Sequence, residues 1–218
     1  MAHKLVILGG GESGVGAALL GKKQGYEVFL SDAGSLKPHY RRELVAHDIP
    51  FEEGGASIDR IISADEVMKS PGIPEKNELV KQVRNQGIPV ISEIELAYRF
   101  CENCKIVAIT GSNGKSTTTA LIHHICEVAE VDAALVGNIG ISFAKQVALA
   151  PKPVYVVEVS SFQLDDIQRF RPDIAVLLNI TEDHLDRYDY KFENYVKSKF
   201  RIIENQTDRD YFIYCEDD

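Results

Sequence analysis

The segment Thr110-Gly-Ser-Asn-Gly-Lys-Ser-Thr117 gathers glycines, a lysine and hydroxyl side chains in the order that suits a nucleotide's phosphates. It follows the apolar run Ile106–Ile109 and leads into an amphipathic stretch, so a strand feeds a loop that opens a helix. Gly111 and Gly114 let backbone N–H groups turn inward. The helix N-terminus adds its partial positive charge, and Asn113 and Thr117 complete the lining. Lys115 supplies a point charge for the β- and γ-phosphates, and the Ser116 hydroxyl is placed to hold Mg²⁺. The strict spacing of such loops would put a glycine at position 109, where Ile109 stands. The competing reading is a glycine turn followed by a Ser/Thr helix cap.

A second glycine turn, Gly9-Gly-Gly11-Glu-Ser-Gly14, also lies between a strand and a helix. It fits G-x-G-x-x-G, and Asp32 ends the next strand where a dinucleotide-binding fold places its ribose acid. Taken alone, Gly9, Gly14 and Asp32 suggest an NAD(P)-dependent oxidoreductase. A phosphate- or sugar-nucleotide-binding unit needs the same tight turn, and nothing downstream resembles hydride-transfer machinery. Asp32 as a plain helix cap is the structural alternative.

Three further positions could carry chemistry. Glu158 ends the strand Val154–Val157, where a Mg²⁺ ligand is expected beside a phosphate loop, although a capping acid is the simpler reading. Asp183, His184 and Asp186 cluster after another strand and are dense in ligands for a hard cation. Lys197 and Lys199 lie on a charged helix, where solvated lysines are the default, and His123-His124 reads as a helix-surface pair. Cys101-Glu-Asn-Cys104 has no second pair to complete a zinc site. These two are expected to be free thiols at a domain junction, with Cys126 and Cys215 alone.

The elements that must position these residues alternate throughout. Strands are expected at 4–8, 27–31, 66–70, 89–92, 105–109, 133–136, 154–159, 174–179 and 211–214. Helices are expected at 15–24, 37–47, 77–85, up to 99, 116–128 and 192–204. Such alternation implies parallel sheets covered by helices. Two successive strand-loop-helix beginnings divide the chain into residues 1–102 and 103–218.

Taken together these motifs resemble the Mur ligases of bacterial cell-wall synthesis. The carrying residues are Thr110–Thr117, Gly137-Asn-Ile-Gly140, Glu158-Val-Ser-Ser-Phe-Gln-Leu164, Leu178-Asn-Ile-Thr-Glu-Asp-His-Leu-Asp-Arg187 and Lys199-Phe-Arg-Ile202, supported by Ser70-Pro-Gly72. The resemblance implies an α/β protein. A Rossmann-like, UDP-substrate-binding N-terminal domain would be followed by part of a P-loop NTPase-like central domain. It implies ATP-dependent activation of a carboxylate as an acyl phosphate, then attack by an amino acid's amine. The Thr-Glu-Asp-His-Leu-Asp-Arg string favours members that join D-glutamate to UDP-N-acetylmuramoyl-L-alanine.

By the same resemblance, Ser13, Gly14, Asp32, Ala33, Ser70, Pro71 and Gly72 would form the UDP pocket, and Asn138 and His184 would contact substrate. Gly111, Asn113, Gly114, Lys115, Ser116 and Thr117 would hold ATP. Ser116, Glu158, His184 and Lys199 would serve Mg²⁺, with Lys199 matching a lysine the family carbamylates. Lys115, His184 and Lys199 would be the catalytic set. Family members carry a third domain with the main D-glutamate contacts, so the chain is expected to be an N-terminal fragment without ligase activity.

The bulk numbers agree with a globular protein. The chain has 218 residues, 44% hydrophobic and 26% charged, and 24 basic against 33 acidic residues leave a net charge of −9. That balance argues against duplex nucleic acid as a partner. No run approaches the roughly 18 apolar residues that cross a bilayer. A cytoplasmic monomer is expected.

Overall fold

The computed structural model describes residues 2–216. The first half alternates β1 (Lys4–Leu8), α1 (Glu12–Lys23), β2 (Glu27–Asp32), α2 (Pro38–Ala46), β3 (Phe51–Glu53), α3 (Ile58–Ile61), β4 (Glu66–Lys69), α4 (Glu78–Asn85), β5 (Val90–Ile91) and α5 (Glu93–Arg99). The second runs β6 (Lys105–Thr110), α6 (Lys115–Val128), β7 (Ala133–Gly137), α7 (Phe143–Leu149), β8 (Val154–Glu158), α8 (Ser161–Leu164), β9 (Ile174–Leu177), α9 (Phe192–Phe200) and β10 (Tyr211–Tyr214). Short 3₁₀ turns occupy Leu185–Arg187 and Arg201–Ile203.

Among the described residues these strands form two parallel five-stranded sheets, ordered β3-β2-β1-β4-β5 and β10-β9-β6-β8-β7. Both strands that precede a glycine loop, β1 and β6, are central. Each is apolar and buried for most of its length because helices cover both faces of a parallel sheet.

Local sequence sets the helix starts. Asn77 accepts N–H bonds from Leu79 and Val80 and so precedes α4 as its cap. Ser160 and Gln163 form a reciprocal capping box at α8. Three short elements (β3, α3 and α7) and the single-turn α8 lie in stretches where no helix or strand is expected from pattern alone. The stretch at 192–204 is α-helical only to Phe200 and then tightens to a 3₁₀ turn.

The two sheets share one apolar core. α1 packs on β1 and β2 with one side and on α7 of the second half with the other. Buried polar groups of the first half then cap elements of the second. One Glu95 oxygen accepts the N–H groups of Gln168, Arg169 and Phe170, each at 2.9 Å. Glu93 accepts from the Ser142 hydroxyl at 2.6 Å and the Ala144 N–H at 2.5 Å. Lys69, at 2% exposure, pairs with buried Asp166 at 3.0 Å. Removing one partner of such a buried pair costs about 3–5 kcal/mol, so these contacts bind the two halves together.

The Cys101–Cys104 expectation is corrected. The two sulfurs are bonded, with Cα atoms 5.9 Å apart. Asn103 adopts φ 58 and turns the chain back so that the cysteines meet. Cys126 and Cys215 are free.

Candidate functional site

Both glycine turns sit at the C-terminal ends of their central strands, the edge where open parallel sheets bind ligands. In the first turn the backbone approach is so close that a Cβ on Gly14 would lie 1.8 Å from the Gly9 carbonyl oxygen. Asp32 clasps the turn. Its carboxylate accepts the N–H of Gly10 at 2.5 Å and that of Gly34 at 2.7 Å. It does not cap α2, which starts after Lys37. Ser70 closes the other side, its hydroxyl 3.3 Å from the Gly9 carbonyl. A cavity of about 170 Å³ opens here, lined by Gly9, Asp32, Ala33, Ala56, Ile73 and Leu79 among others. Gly72 is exposed and Ser13 and Pro71 half-buried beside this edge. The Arg187 guanidinium, from the second half, donates to the Pro71 carbonyl at 3.1 Å.

The second turn is built differently. β6 runs through Thr110, so Ile109 is a fully buried strand residue in register with Glu158 and Val176. That accounts for the absence of glycine there, because the turn begins only at Gly111. Gly114 caps α6 at φ 82, a left-handed conformation that favours glycine. The loop is clamped by the segment after β9. Asn179 accepts the Asn113 N–H on its side chain at 2.9 Å and the Ser112 N–H on its carbonyl at 2.8 Å. The Ser112 hydroxyl bridges Thr181 and Tyr195. Asn113, Gly114, Ser116 and Thr117 remain exposed, which leaves the mouth of the loop open.

Two lysines converge on one carbonyl. Lys115 Nζ and Lys199 Nζ each donate to the Gly111 oxygen at 2.8 Å, and Lys115 also reaches the Ser112 carbonyl at 2.9 Å. Lys199 is 1% exposed, so the solvated-lysine default is wrong for it. Burial and then the neighbouring Lys115 charge push its pKa down to about 7, with Asp183 pulling the other way. Lys197, two residues away on α9, lines an open cleft instead.

Glu158 ends β8 beside the loop at 1% exposure. One oxygen accepts from the Asn138 amide at 2.8 Å, and the other is buried without a partner. It does not cap α8, a task Ser160 performs. An uncompensated buried carboxylate oxygen is a place for a cation. His184 sits at φ 50, exposed, packed on the Phe162 ring at 5.2 Å and 3.4 Å from Asp183. Among the described residues no group of three or more His, Cys, Asp or Glu forms a ready metal cluster. His123 lies within reach of the Ala133 carbonyl and His124 is exposed, as a helix-surface pair should be. Asn179 and Thr181 lie inside the Leu178–Arg187 motif but are not among its expected site residues, and Tyr195, which carries no motif-like spacing of its own, joins them in shaping the site. Among the described residues no helix is long and apolar enough to cross a membrane.

Comparison with known proteins matches the chain in two stretches. Residues 109–218 match the family described as Mur ligase middle domain, and residues 3–92 match Mur ligase MurD-like, N-terminal domain. A UDP-N-acetylmuramoylalanine–D-glutamate ligase of Cytophaga hutchinsonii is 56% identical over 219 residues, covering 100% of this chain and 49% of that protein. One of the same description from Christiangramia forsetii is 53% identical, again with 100% and 49% covered. The chain thus spans about half the length of the curated relatives it matches. Among solved structures, UDP-N-acetylmuramate:L-alanyl-gamma-D-glutamyl-meso-diaminopimelate ligase from Neisseria meningitides superposes with a TM-score of 0.68 at 20% identity, covering 100% of this chain and 72% of that one. At that identity the likeness speaks for the fold.

Proposed function

The chain belongs to the Mur ligase family, and from that premise we propose that it supplies the UDP-substrate and ATP sites of an ATP-dependent ligase joining D-glutamate to UDP-N-acetylmuramoyl-L-alanine. The observation that carries the reading is the convergence of Lys115 and buried Lys199 on Gly111, with Glu158 and its unpartnered oxygen at the end of the neighbouring strand β8. It supports the reading because two lysine nitrogens meet at the loop that would receive a nucleotide's phosphates, with an acid on the neighbouring strand end.

The work of these residues follows from charge. ATP and the substrate carboxylate are both anions and must be brought into line. Lys115 exchanges its loop carbonyls for β- and γ-phosphate oxygens, and the N–H groups at 114–117 cradle them. Asn138 orients the substrate as well as Glu158. The carboxylate becomes an acyl phosphate, the amine of D-glutamate displaces phosphate, and an amide forms. A Mg²⁺ ion suits Glu158, with the Ser116 hydroxyl and phosphate oxygens as further ligands, because this ion takes few carboxylates. When bound it would neutralise phosphate charge. Lys199, with its pKa lowered to about 7, has a neutral fraction near pH 7 that carbamylation requires, and carbamylation would turn it into an anionic ligand alongside His184. Ser13, Gly14, Asp32, Ala33 and Ser70–Gly72 receive the UDP moiety. We place the domain boundary at 102/103, and the setting in the cytoplasm as a monomer.

The NAD(P) reading is weaker, because both Asp32 oxygens already accept backbone N–H groups that hold the turn. Thermal shift discriminates. UDP-N-acetylmuramoyl-L-alanine should raise the melting temperature of the chain while NAD and NADP leave it unchanged. Stabilisation by NAD alone would sink the proposal.

A further inference from the structure

Cys101 and Cys104 close a turn between α5 and β6, where the chain passes from one sheet to the other. Both are half-buried and pack on the shared core, yet the pair also forms part of the wall of two clefts. The first, about 400 Å³, is lined by Arg99, Lys105, Arg169 and Arg171 with Asp173 as its acid. Arg99 is taken up by Glu66 and Glu95, and Lys105 by Asp173 at 2.6 Å. Arg171 lies 3.5 Å from Asp210, a loose pair. Among the described residues the Arg169 guanidinium has no hydrogen bond or ion pair, while its backbone N–H is fixed by Glu95. The second cleft, about 370 Å³, has no such cation, since Lys23 is bonded to the Ala148 carbonyl and Lys152 to Asp132. In an acidic chain, a disulfide at the edge of a locally basic cleft is a specific arrangement.

We propose that Cys101–Cys104 is a redox-active disulfide, reduced by a carboxylate-bearing low-mass thiol that docks its carboxylate on Arg169 and Arg171. The thiolate attacks one cysteine sulfur. The S–S bond breaks, a mixed disulfide forms, and the other cysteine leaves as a thiolate held by the surrounding cations. A second thiolate attacks the mixed disulfide from the thiol side and releases the second cysteine. The two protons of the consumed thiols end on the two cysteines. The disulfide is thus reduced by two electrons, and two small thiols are oxidised to one symmetrical disulfide. Basic surroundings favour this chemistry because they stabilise the departing thiolate. Reduction frees the turn at Glu102–Asn103 and with it the direct tie between α5 and β6.

The test is a rate comparison on the oxidised 218-residue chain. The probes are 3-mercaptopropionate, 2-mercaptoethanol and cysteamine, which carry negative, neutral and positive charge. Acid-quenched intact mass follows the mixed disulfide and the dithiol, and rates are expressed per thiolate with correction for thiol basicity. The anionic thiol should react roughly 10-fold faster than the neutral one at low salt, and the cationic thiol slowest. That order should collapse near 1 M salt, where the screening length is about 3 Å, and in Arg169→Gln/Arg171→Gln. The salt series on the unmutated chain decides the matter if the variant misfolds. Equal rates for the three thiols, or failure of mild oxidation to form the intramolecular bond, would overturn the proposal.

Discussion

The two glycine loops occupy equivalent places in equivalent sheets, yet they are held by different means. The Gly9–Gly14 turn is fixed from within its own half by a steric fit at Gly14 and by the Asp32 and Ser70 side chains. The Gly111–Thr117 loop is likewise fixed from within its own half, but by the segment after β9 and by helix α9, through Asn179, Thr181, Tyr195 and Lys199. A shared βα plan therefore puts a glycine turn at the C-terminal end of the central strand in both halves. Among the described residues only the second turn has lysines bonded to it and a buried acid on the adjoining strand, the set that the proposed phosphoryl chemistry calls for.

The largest expected effect breaks the first loop. Gly14→Ala would drive a methyl into the Gly9 carbonyl and should cost about 3 kcal/mol in urea unfolding. Gly11→Ala has open space and should stay within about 0.5 kcal/mol. Similar losses at both positions would show that the turn is not held by fit.

The next effect tests the second loop through pH. Lys199 has a pKa near 7 when folded, against a reference value of 10.5. Between those values the unfolded chain binds one more proton, so stability rises with pH across that window, by at most about 1.4 kcal/mol per unit. Lys199→Met should flatten that rise. An unchanged pH profile would mean that Lys199 is solvated after all.

The smallest effect concerns the seam between the halves. Burial raises the Glu93 carboxyl to about 7, Glu12 adds to the rise, and Ser142 and Ala144 oppose it. The folded chain then holds a proton that the unfolded chain loses above its reference value of 4.5, so this residue's contribution falls as pH rises from about 4.5 through 7. Glu93→Gln should stabilise the chain by about 1 kcal/mol at pH 8, because one oxygen there lacks a partner. The gain should shrink below pH 5, as differential scanning calorimetry across that range would show.

Much of this was legible in sequence, and unevenly so. The parallel sheets and both loops follow from apolar runs ending in glycines, since those signals are local. Glu158 and His184 stand out because acids and imidazoles are sparse after buried strands. Lys199 does not, because its helix looks charged and solvated, and only the return of α9 over Gly111 buries it. The Cys101–Cys104 bond was missed for a related reason: spacing allows it, but the turn at Asn103 decides it. Glu93, Glu95 and Asp166 belong to no motif in the sequence. Their partners across the seam lie 49 to 97 residues away, beyond the reach of any periodicity. Short α7 and α8 span too few turns to show a helical period.

Calorimetric titration of Mg²⁺-ATP into the chain and into Lys115→Ala tests the central claim most directly. Saturable one-to-one binding is expected, weakened about 30-fold in the variant, equivalent to about 2 kcal/mol for one charge-assisted contact. Equal affinity in the two proteins, or no binding in either, would contradict the assignment of the second loop to ATP.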